Sequence, residues 1–231
     1  MKRKSPKRVM KKCPHQSARE AIGILTPDCS IIGVTKGQFS LLDLIRAVAA
    51  QTGQAALSVS TWSTGIRDTQ NMNILINKKA FTSVTLCLDR SFSGRQPQYV
   101  KEVIKVWGEG NVRMTRNHAK FFMLRNDEWN ICVRSSMNLN HNPRMEQFDL
   151  DDNKELCDFF QGIVDEIFEK MPPGLTKKVG ICDQVFPGLM EDNLCKQTIS
   201  DIDISEDPFA DLEIDIESVD ISGLEEQLKL F

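Results

Sequence analysis

Apolar residues recur through the middle of the chain with two periods, one typical of helices and one typical of strands. After Ser40, apolar residues follow helical spacing, with Asp43 at the capping-box position and Gly53 at the end. Similar patterns predict further helices near 74–76, 100–107 and 156–167, strands over 57–62, 84–88, 129–135 and 146–150, and one or two extended segments within 112–124. Strands that alternate with helices and then form a hairpin predict an α/β fold, a mixed β-sheet flanked by helices.

The periodic region also predicts how the chain is divided. We expect a basic arm and linker over 1–36, a folded domain over 37–171, an irregular linker over 172–198 and an acidic, disordered tail over 199–231. Apolar residues make up 41% of the 231 residues, which is enough for one core domain with tails.

Charge is distributed unevenly, although the net charge is only −3. Residues 1–19 contain eight Lys or Arg and no acidic residue, whereas residues 198–231 contain eleven Asp or Glu and one Lys. A basic arm is typical of proteins that bind nucleic acid or another anionic surface, and a solvated disordered end is the alternative. The acidic tail fits disorder, a strand added to a partner's sheet, or a segment that covers the basic surface in cis.

Cysteine usage and hydropathy indicate the compartment. The seven Cys have irregular spacings and no C-x-x-C, which is typical of reduced thiols inside a cell. Cys13, His15 and Cys29 lack an evident fourth ligand, so we expect no metal and no other cofactor. No apolar run reaches transmembrane length, and Pro27 and Asp28 interrupt the stretch that follows the basic start. The sequence predicts a cytoplasmic protein without a membrane partner.

The chemistry of the chain is concentrated in His118-Ala119-Lys120 and in Ser135-Ser136-Met137-Asn138. On a strand, His118 and Lys120 would point to the same face, which places a nucleophile or proton donor beside a fixed positive charge. Ser136 and Asn138 add uncharged donors, and Glu146 is positioned to orient His118 through its other ring nitrogen. These side chains suit an anionic phosphodiester.

This arrangement resembles the signature of the phospholipase D superfamily, H-x-K-x4-D-x6-G-S-x-N, over roughly residues 39–171. The superfamily includes nucleases, phospholipases and noncatalytic DNA-binding proteins. The resemblance implies a phospholipase D-like α/β fold and a metal-independent reaction through a phosphohistidine on His118. It also implies that Lys120 and Asn138 bind phosphate and that Ser136 occupies the serine position.

Two positions depart from that pattern, because Arg125 stands where the superfamily has Asp and Ser135 stands where it has Gly. The superfamily reaction uses two H-x-K copies, whereas this chain has one, so the resemblance implies an isologous homodimer if the protein is an enzyme. The candidates for contacting flanking phosphates are Ser135, Arg90, Arg95 and Arg144.

These observations predict a homodimeric endonuclease that acts on nucleic acid, with DNA favoured over RNA. The alternative is a noncatalytic phospholipase D-like protein that binds DNA or recruits partners. A phospholipid-cleaving enzyme is disfavoured, because the sequence has neither a secretion signal nor an evident interfacial helix.

The chain ends in Gln227-Leu228-Lys229-Leu230-Phe231. This peptide resembles the Q-L-(S/D)-L-F motif by which bacterial replication and repair proteins bind the sliding clamp. Leu228, Leu230 and Phe231 would fill apolar pockets of that partner, and the Gln227 amide would orient the peptide. The alternative is a short amphipathic turn that packs on the domain. The resemblance implies a bacterial or bacteriophage context.

Overall fold

The apolar segments of the sequence pair into one sheet of eight strands. The structure, a computed structural model, describes residues 8–11 and 17–175. The strands are β1 (Arg8–Lys11), β2 (Ser30–Thr35), β3 (Ala55–Thr61), β4 (Phe81–Asp89), β5 (Val112–Thr115), β6 (Phe121–Arg125), β7 (Asn130–Ser135) and β8 (Glu146–Asp152). The helices are α1 (Ala18–Ile22), α2 (Leu41–Thr52), α3 (Ile66–Asn77), α4 (Phe92–Arg95), α5 (Pro97–Trp107) and α6 (Lys154–Lys170).

The sheet combines parallel and antiparallel strands in the order β1-β2-β8-β7-β6-β3-β4-β5. Strands β3, β4 and β5 run parallel, with helices in the connections between them. Strand β6 lies antiparallel beside β3, forms a hairpin with β7, and β7 pairs antiparallel with β8. The predicted α/β fold, a mixed sheet flanked by helices, is therefore confirmed.

Alternate residues of the central strands enter two separate layers of core. On β6, Phe122 and Leu124 belong to the larger apolar cluster, which includes buried residues of α2 and α5. Phe121 and Met123 belong to a smaller cluster with buried residues of α6. Successive side chains of a strand point to opposite faces, so the helices cover both faces of the sheet.

Local sequence signals set the ends of the helices. The predicted capping box of α2 is present, since Ser40 Oγ accepts a hydrogen bond from Asp43 N (3.3 Å) and Asp43 Oδ2 accepts one from Ser40 N (2.9 Å). Gly53 follows α2, as predicted, and its φ of +73° is a conformation that glycine adopts without strain. Helix α6, which the sequence predicted near 156–167, ends at Lys170, before Pro172.

One apolar residue of the helix predicted near 156–167 is exposed. Phe159 is 63% exposed, whereas the adjacent Phe160 packs against Phe121 with ring centroids 4.6 Å apart. The apolar stripe of the helix is narrower than the sequence pattern indicated, because only one of two consecutive phenylalanines can face the sheet.

The prediction that residues 1–36 form only an arm and a linker is wrong for the described part of that range. Residues 30–35 form β2, which pairs in parallel with β1 and antiparallel with β8. The sequence signal was weak because Pro27 and Asp28 interrupt the apolar pattern and because Ser30 and Thr35 are polar residues that are buried in the sheet. The predicted tail, 199–231, and residues 176–198 of the predicted linker lie outside the described residues.

Arg125, which stands at the superfamily's Asp position, has a structural partner. It lies at the end of β6, and its Nη2 pairs with Asp158 Oδ1 of α6 at 2.6 Å. Its Nε also donates to Asn130 Oδ1 across the hairpin (3.3 Å). Arg125 therefore links the β6–β7 hairpin to α6, at the opposite end of β6 from His118.

Within the described residues, no helix is both long and apolar enough to cross a membrane.

The capping box makes a prediction about stability. Replacing Ser40 with Ala removes the acceptor of the Asp43 N–H at a buried helix start, so we expect the free energy of unfolding to fall by about 1 kcal/mol. Urea denaturation measures this loss. The matched control is Ser83→Ala on β4, where the serine is exposed and a change within about 0.5 kcal/mol is expected. Equal losses in the two variants would contradict the capping role.

Candidate functional site

The segments that carry the predicted site residues meet at one end of the central strands. Because β6 is antiparallel to β3, Phe121 at the start of β6 pairs with Ser60 near the end of β3. Strand β7 ends and β8 begins at the same edge, since Ser135 pairs with Phe148. The topology thus brings together residues as far apart in the sequence as Ser60 and Phe148.

His118 and Lys120 lie side by side, as the sequence predicted, but they precede the strand instead of lying within it. Strand β6 begins at Phe121, one residue after Lys120. The Lys120 Nζ atom is 3.0 Å from His118 Nδ1 and 3.3 Å from Nε2, and it donates a hydrogen bond to the His118 carbonyl at 2.7 Å. The imidazole is exposed, and the lysine is half-buried. A cation and a nucleophilic ring therefore face solvent together.

Asn117, which the sequence analysis did not single out, positions this pair. It is a buried residue, and its Nδ2 lies within hydrogen-bond distance of Ser60 Oγ (2.8 Å), Cys87 O (3.2 Å) and Thr61 O (3.3 Å). Its Oδ1 accepts from Ala119 N (3.0 Å), and its own N–H donates to Asp89 Oδ2 (3.0 Å). The amide therefore ties the ends of β3 and β4 to the residues on both sides of His118.

Lys120 has a perturbed acid–base equilibrium. Partial burial lowers the pKa of its ammonium group, and the nearby Glu146 carboxylate opposes part of that shift. Burial also keeps water away from the charge, which strengthens its attraction for an anion at the open side of the site. The side chain is suited to hold one phosphate oxygen.

Ser135, Ser136 and Glu146 form a connected group at the ends of β7 and β8. Ser135 Oγ donates to the Gln147 carbonyl (2.7 Å) and accepts from Met137 N (3.0 Å), which stabilises the turn after β7. Ser136 Oγ donates to Glu146 Oε2 and accepts from Gln147 N. Both hydroxyls thus have protein partners in this structure.

The carboxylate of Glu146 is used differently from the sequence expectation. Among the described residues, its hydrogen bonds come from Ser136 and from Asn142 Nδ2 (3.5 Å), not from His118. Its negative charge also acts on Lys120. In this arrangement Glu146 supports the serine and the lysine, and the orientation of the imidazole depends on Lys120 and on the segment that carries it.

The side-chain oxygen of Asn138 lies near Thr61, at the end of β3. Its Oδ1 lies 3.4 Å from Thr61 Oγ1, a hydroxyl that donates to the Ser63 carbonyl (2.9 Å) and accepts from Leu139 N (3.0 Å). In the part of the chain that the structure describes, the Nδ2 group of Asn138 has no hydrogen-bond partner. The residue therefore offers an uncharged donor at the same end of the sheet as Lys120, and a phosphate group accepts hydrogen bonds from such a donor and from such a charge.

Residues 139–145 lead into Glu146 and are held from two sides. His141 N donates to Asp68 Oδ2 of α3 (3.2 Å), and burial raises the pKa of that carboxyl group. On the other side, Gly37 has a φ of +88°, and a Cβ atom there would lie 2.5 Å from Pro143 Cα. Neither support was evident from the sequence, because single polar and glycine residues in connections have no periodic signal.

The predicted arginines are placed differently from one another. Arg95 lies over the ring of Trp62, which in turn lies 5.8 Å from the ring of His118, centroid to centroid. Arg90 follows β4, and its N–H donates to the Thr115 carbonyl (2.8 Å). Arg144 is exposed in the segment before β8. The structure thus connects Arg95 to His118 through an aromatic ring that the sequence analysis did not include.

Two further sequence predictions concern the C-terminal peptide and metal binding. The partner-binding residues Gln227, Leu228, Leu230 and Phe231 lie outside the described residues. Among residues 17–175, no group of three or more His, Cys, Asp or Glu side chains is arranged to hold a metal ion.

No protein-family model matches the chain, and no curated protein matches its sequence. The chain is similar in structure to a phospholipase D family member, Nuc from Salmonella typhimurium, with a TM-score of 0.48 and 12% identity over 64% of this chain and 98% of Nuc. NucT from Helicobacter pylori gives 0.47 and 12% over 62% and 99% of the two chains. TrmBL2, an archaeal chromatin protein with a novel mode of DNA binding, gives 0.41 and 12% over 61% and 53%. At 12% identity, these similarities assign no role to any residue of this chain. The roles of the site residues are inferred from the distances and hydrogen bonds of this protein.

The position of Asn117 predicts an effect on stability. Asn117→Ala leaves buried acceptors at the ends of β3 and β4 without a donor, so we expect the free energy of unfolding to fall by about 1–3 kcal/mol. The measurement is urea denaturation. Asn111→Ala is the matched control, since Asn111 is exposed and its side chain donates one described hydrogen bond, to the Trp107 carbonyl (3.0 Å). A loss at Asn117 no greater than the loss at Asn111 would rule out the positioning role.

Proposed function

We propose that the protein binds DNA and acts as a metal-independent endonuclease with His118 as its nucleophile. The observation that carries this proposal is the pairing of the His118 ring with the Lys120 ammonium group, 3.0 Å from Nζ to Nδ1. Asn138 lies at the same end of the sheet, where its Oδ1 is 3.4 Å from Thr61 Oγ1 at the end of β3. A nucleophile, a fixed charge and an uncharged donor at one strand end are what hydrolysis of a phosphodiester requires. The sequence resemblance to the phospholipase D superfamily points to the same chemistry.

The proposed reaction has two displacement steps. The lone pair of a His118 ring nitrogen attacks phosphorus, a P–N bond forms, and the P–O bond to the leaving nucleotide breaks while that oxygen takes a proton from an acid. A water oxygen then attacks phosphorus, the P–N bond breaks, and the proton of the water passes to the group that served as acid. Lys120 and Asn138 hold the nonbridging oxygens throughout.

The acid of the first step would come from a second copy of the chain. Among the three histidines of the sequence, only His118 starts an H-x-K triplet. We propose an isologous homodimer in which each subunit supplies one His118 to a shared site. The basic arm would add affinity for DNA that does not depend on sequence, because its charges displace condensed counterions.

One observation favours a noncatalytic DNA-binding protein as the alternative. The Glu146 carboxylate is engaged by Ser136 and Asn142, and no other carboxylate of the described residues bonds His118 to fix its tautomer, as is common for a catalytic imidazole. In that case the same site would bind the phosphate without turnover. The two functions differ in one measurable property, which is strand cleavage.

The central test is nicking of supercoiled plasmid in the presence of EDTA. We expect the full chain to nick the plasmid and His118→Ala to reduce the rate by about 10²–10⁴-fold or more, because the attacking nitrogen is lost. His141→Ala is the matched control, since His141 is an exposed histidine that contacts Asp68 through its backbone, and it should retain activity.

The outcomes of that test separate the two functions. Nicking that His118→Ala abolishes supports the enzyme, whereas plasmid binding without nicking supports the noncatalytic protein. Nicking that persists in His118→Ala would contradict the role of the histidine. Sedimentation measures the oligomeric state independently, and an active monomer would overturn the shared site.

We further propose that the C-terminal peptide, Gln227–Phe231, recruits the protein to a bacterial sliding clamp. Deleting the five residues should abolish binding to the clamp, measured by surface plasmon resonance, and leave DNA binding unchanged. Lys229→Ser, at the variable position of the motif, is the matched control and should keep clamp binding. Binding that survives the deletion would exclude this role for the peptide.

A further inference from the structure

Arg95 forms a flat surface on the ring of Trp62, which lies beside the candidate nucleophile. Its Cζ atom lies 3.6 Å from the centroid of the Trp62 ring, and that ring lies 5.8 Å from the ring of His118 at an interplanar angle of 58°. The guanidinium covers the indole ring, and because Arg95 is exposed, the part of the guanidinium that does not contact the ring is open to solvent. A cation stacked on tryptophan is a favourable pair in itself, particularly when it is partly desolvated.

Two hydrogen bonds fix the orientation of this guanidinium. Arg95 Nε donates to Ser91 Oγ (2.8 Å), and Nη2 donates to the carbonyl of Trp62 (3.2 Å). An arginine has five N–H groups, so these bonds leave donors free at the edge of the plane. A side chain that is already held in place loses less conformational entropy when a ligand binds.

One carboxylate connects this surface to His118. Asp89 Oδ1 accepts from Ser91 N (2.9 Å) and from Ser91 Oγ, the atom that holds Arg95. Its Oδ2 accepts from Asn117 N (3.0 Å), directly before His118. Partial burial alone would raise the pKa of Asp89, but hydrogen bonds from Ser91 and Asn117 and the charge of Arg95 outweigh it and lower the pKa. The carboxylate therefore stays ionised. It holds both Ser91, which contacts Arg95, and Asn117, which precedes His118.

The chemistry of this surface favours a base over a phosphate. The negative charge of Asp89 lies close to Arg95 and offsets part of its positive charge, which weakens attraction for an anion. The plane of the guanidinium is unaffected, and nucleic-acid bases stack on arginine planes and on aromatic rings. A base within a duplex is already stacked between its neighbours, so only an unpaired base can use this surface.

We infer that Arg95, held on Trp62, is a stacking platform for an unpaired base next to the phosphate at His118. The inference rests on the proposed function and narrows its substrate class, because it predicts a preference for single-stranded or locally opened DNA. Trp62 acts by supporting the arginine, and Ser91 and Asp89 act by positioning it.

The test measures binding of a fluorescently labelled strand of twelve thymidines by anisotropy, with the full chain carrying His118→Ala to prevent cleavage. Adding Arg95→Lys keeps the charge but removes the plane, so the dissociation constant should rise about 5- to 100-fold. The constants for an abasic strand and for a duplex of equal length should change less than about twofold, because neither presents an unpaired base. Arg113→Lys is the matched control, since Arg113 lies over the ring of Phe168 (4.4 Å), against α6, and it should leave all three constants unchanged.

A second variant guards against a folding defect at Arg95. Ser91→Ala removes the acceptor of Arg95 Nε while both members of the stack remain, so it should weaken binding of the thymidine strand in the same direction but by less. Circular dichroism would establish that both variants are folded.

The possible results distinguish this inference from the function on which it rests. An equal loss on thymidine and abasic strands would make Arg95 a phosphate contact and overturn the platform. No loss in either variant would also overturn it, and the proposed nuclease would stand if the unsubstituted chain still nicks plasmid. If the His118→Ala parent binds none of the three ligands while the unsubstituted chain nicks plasmid, the platform is overturned and the nuclease stands; if the unsubstituted chain neither binds nor nicks DNA, the proposed function itself fails.

Discussion

The buried amide of Asn117 is the interaction on which the geometry of the site depends. A buried polar side chain is stable only when its donors and acceptors have partners, and Asn117 finds them on β3, on β4 and within the segment of His118. Displacing that segment would break hydrogen bonds that water cannot replace. The imidazole and the ammonium group can therefore be exposed to solvent while the backbone beneath them is held from inside the protein.

The order of the strands explains why so many polar groups converge there. Parallel strands direct their carboxyl ends to one edge of a sheet, where the connecting segments leave room for ligands. In this protein an antiparallel hairpin lies beside the parallel strands, so the start of β6 and the end of β7 reach that same edge. Residues that precede a strand and residues that follow a strand therefore both lie at this edge.

The sequence predicted the periodic parts of the fold and the reactive pair, but not the residues that support them. Alternating apolar positions identify β4, and helical spacing after Ser40 identifies α2, because each pattern repeats several times. Asn117 and Asp89 carry no such signal, since a single polar residue is buried or exposed according to contacts made far away in the chain. Glu146 was expected to bond His118 but bonds Ser136 and Asn142 instead. Which of several nearby donors a carboxylate bonds depends on distances in the folded protein, and the sequence does not contain these distances.

Strand β2 gives the N-terminal segment a second significance. Its last residue, Thr35, pairs with Glu146, the first residue of β8, and its other neighbour is β1. Strand β1 and the carboxylate that acts on Lys120 are thus connected through the backbone pairing of β1 with β2 and of β2 with β8. Tension applied along β2 would be borne as shear by its pairing with β8, so a force on β2 would be transmitted to the strand that begins at Glu146.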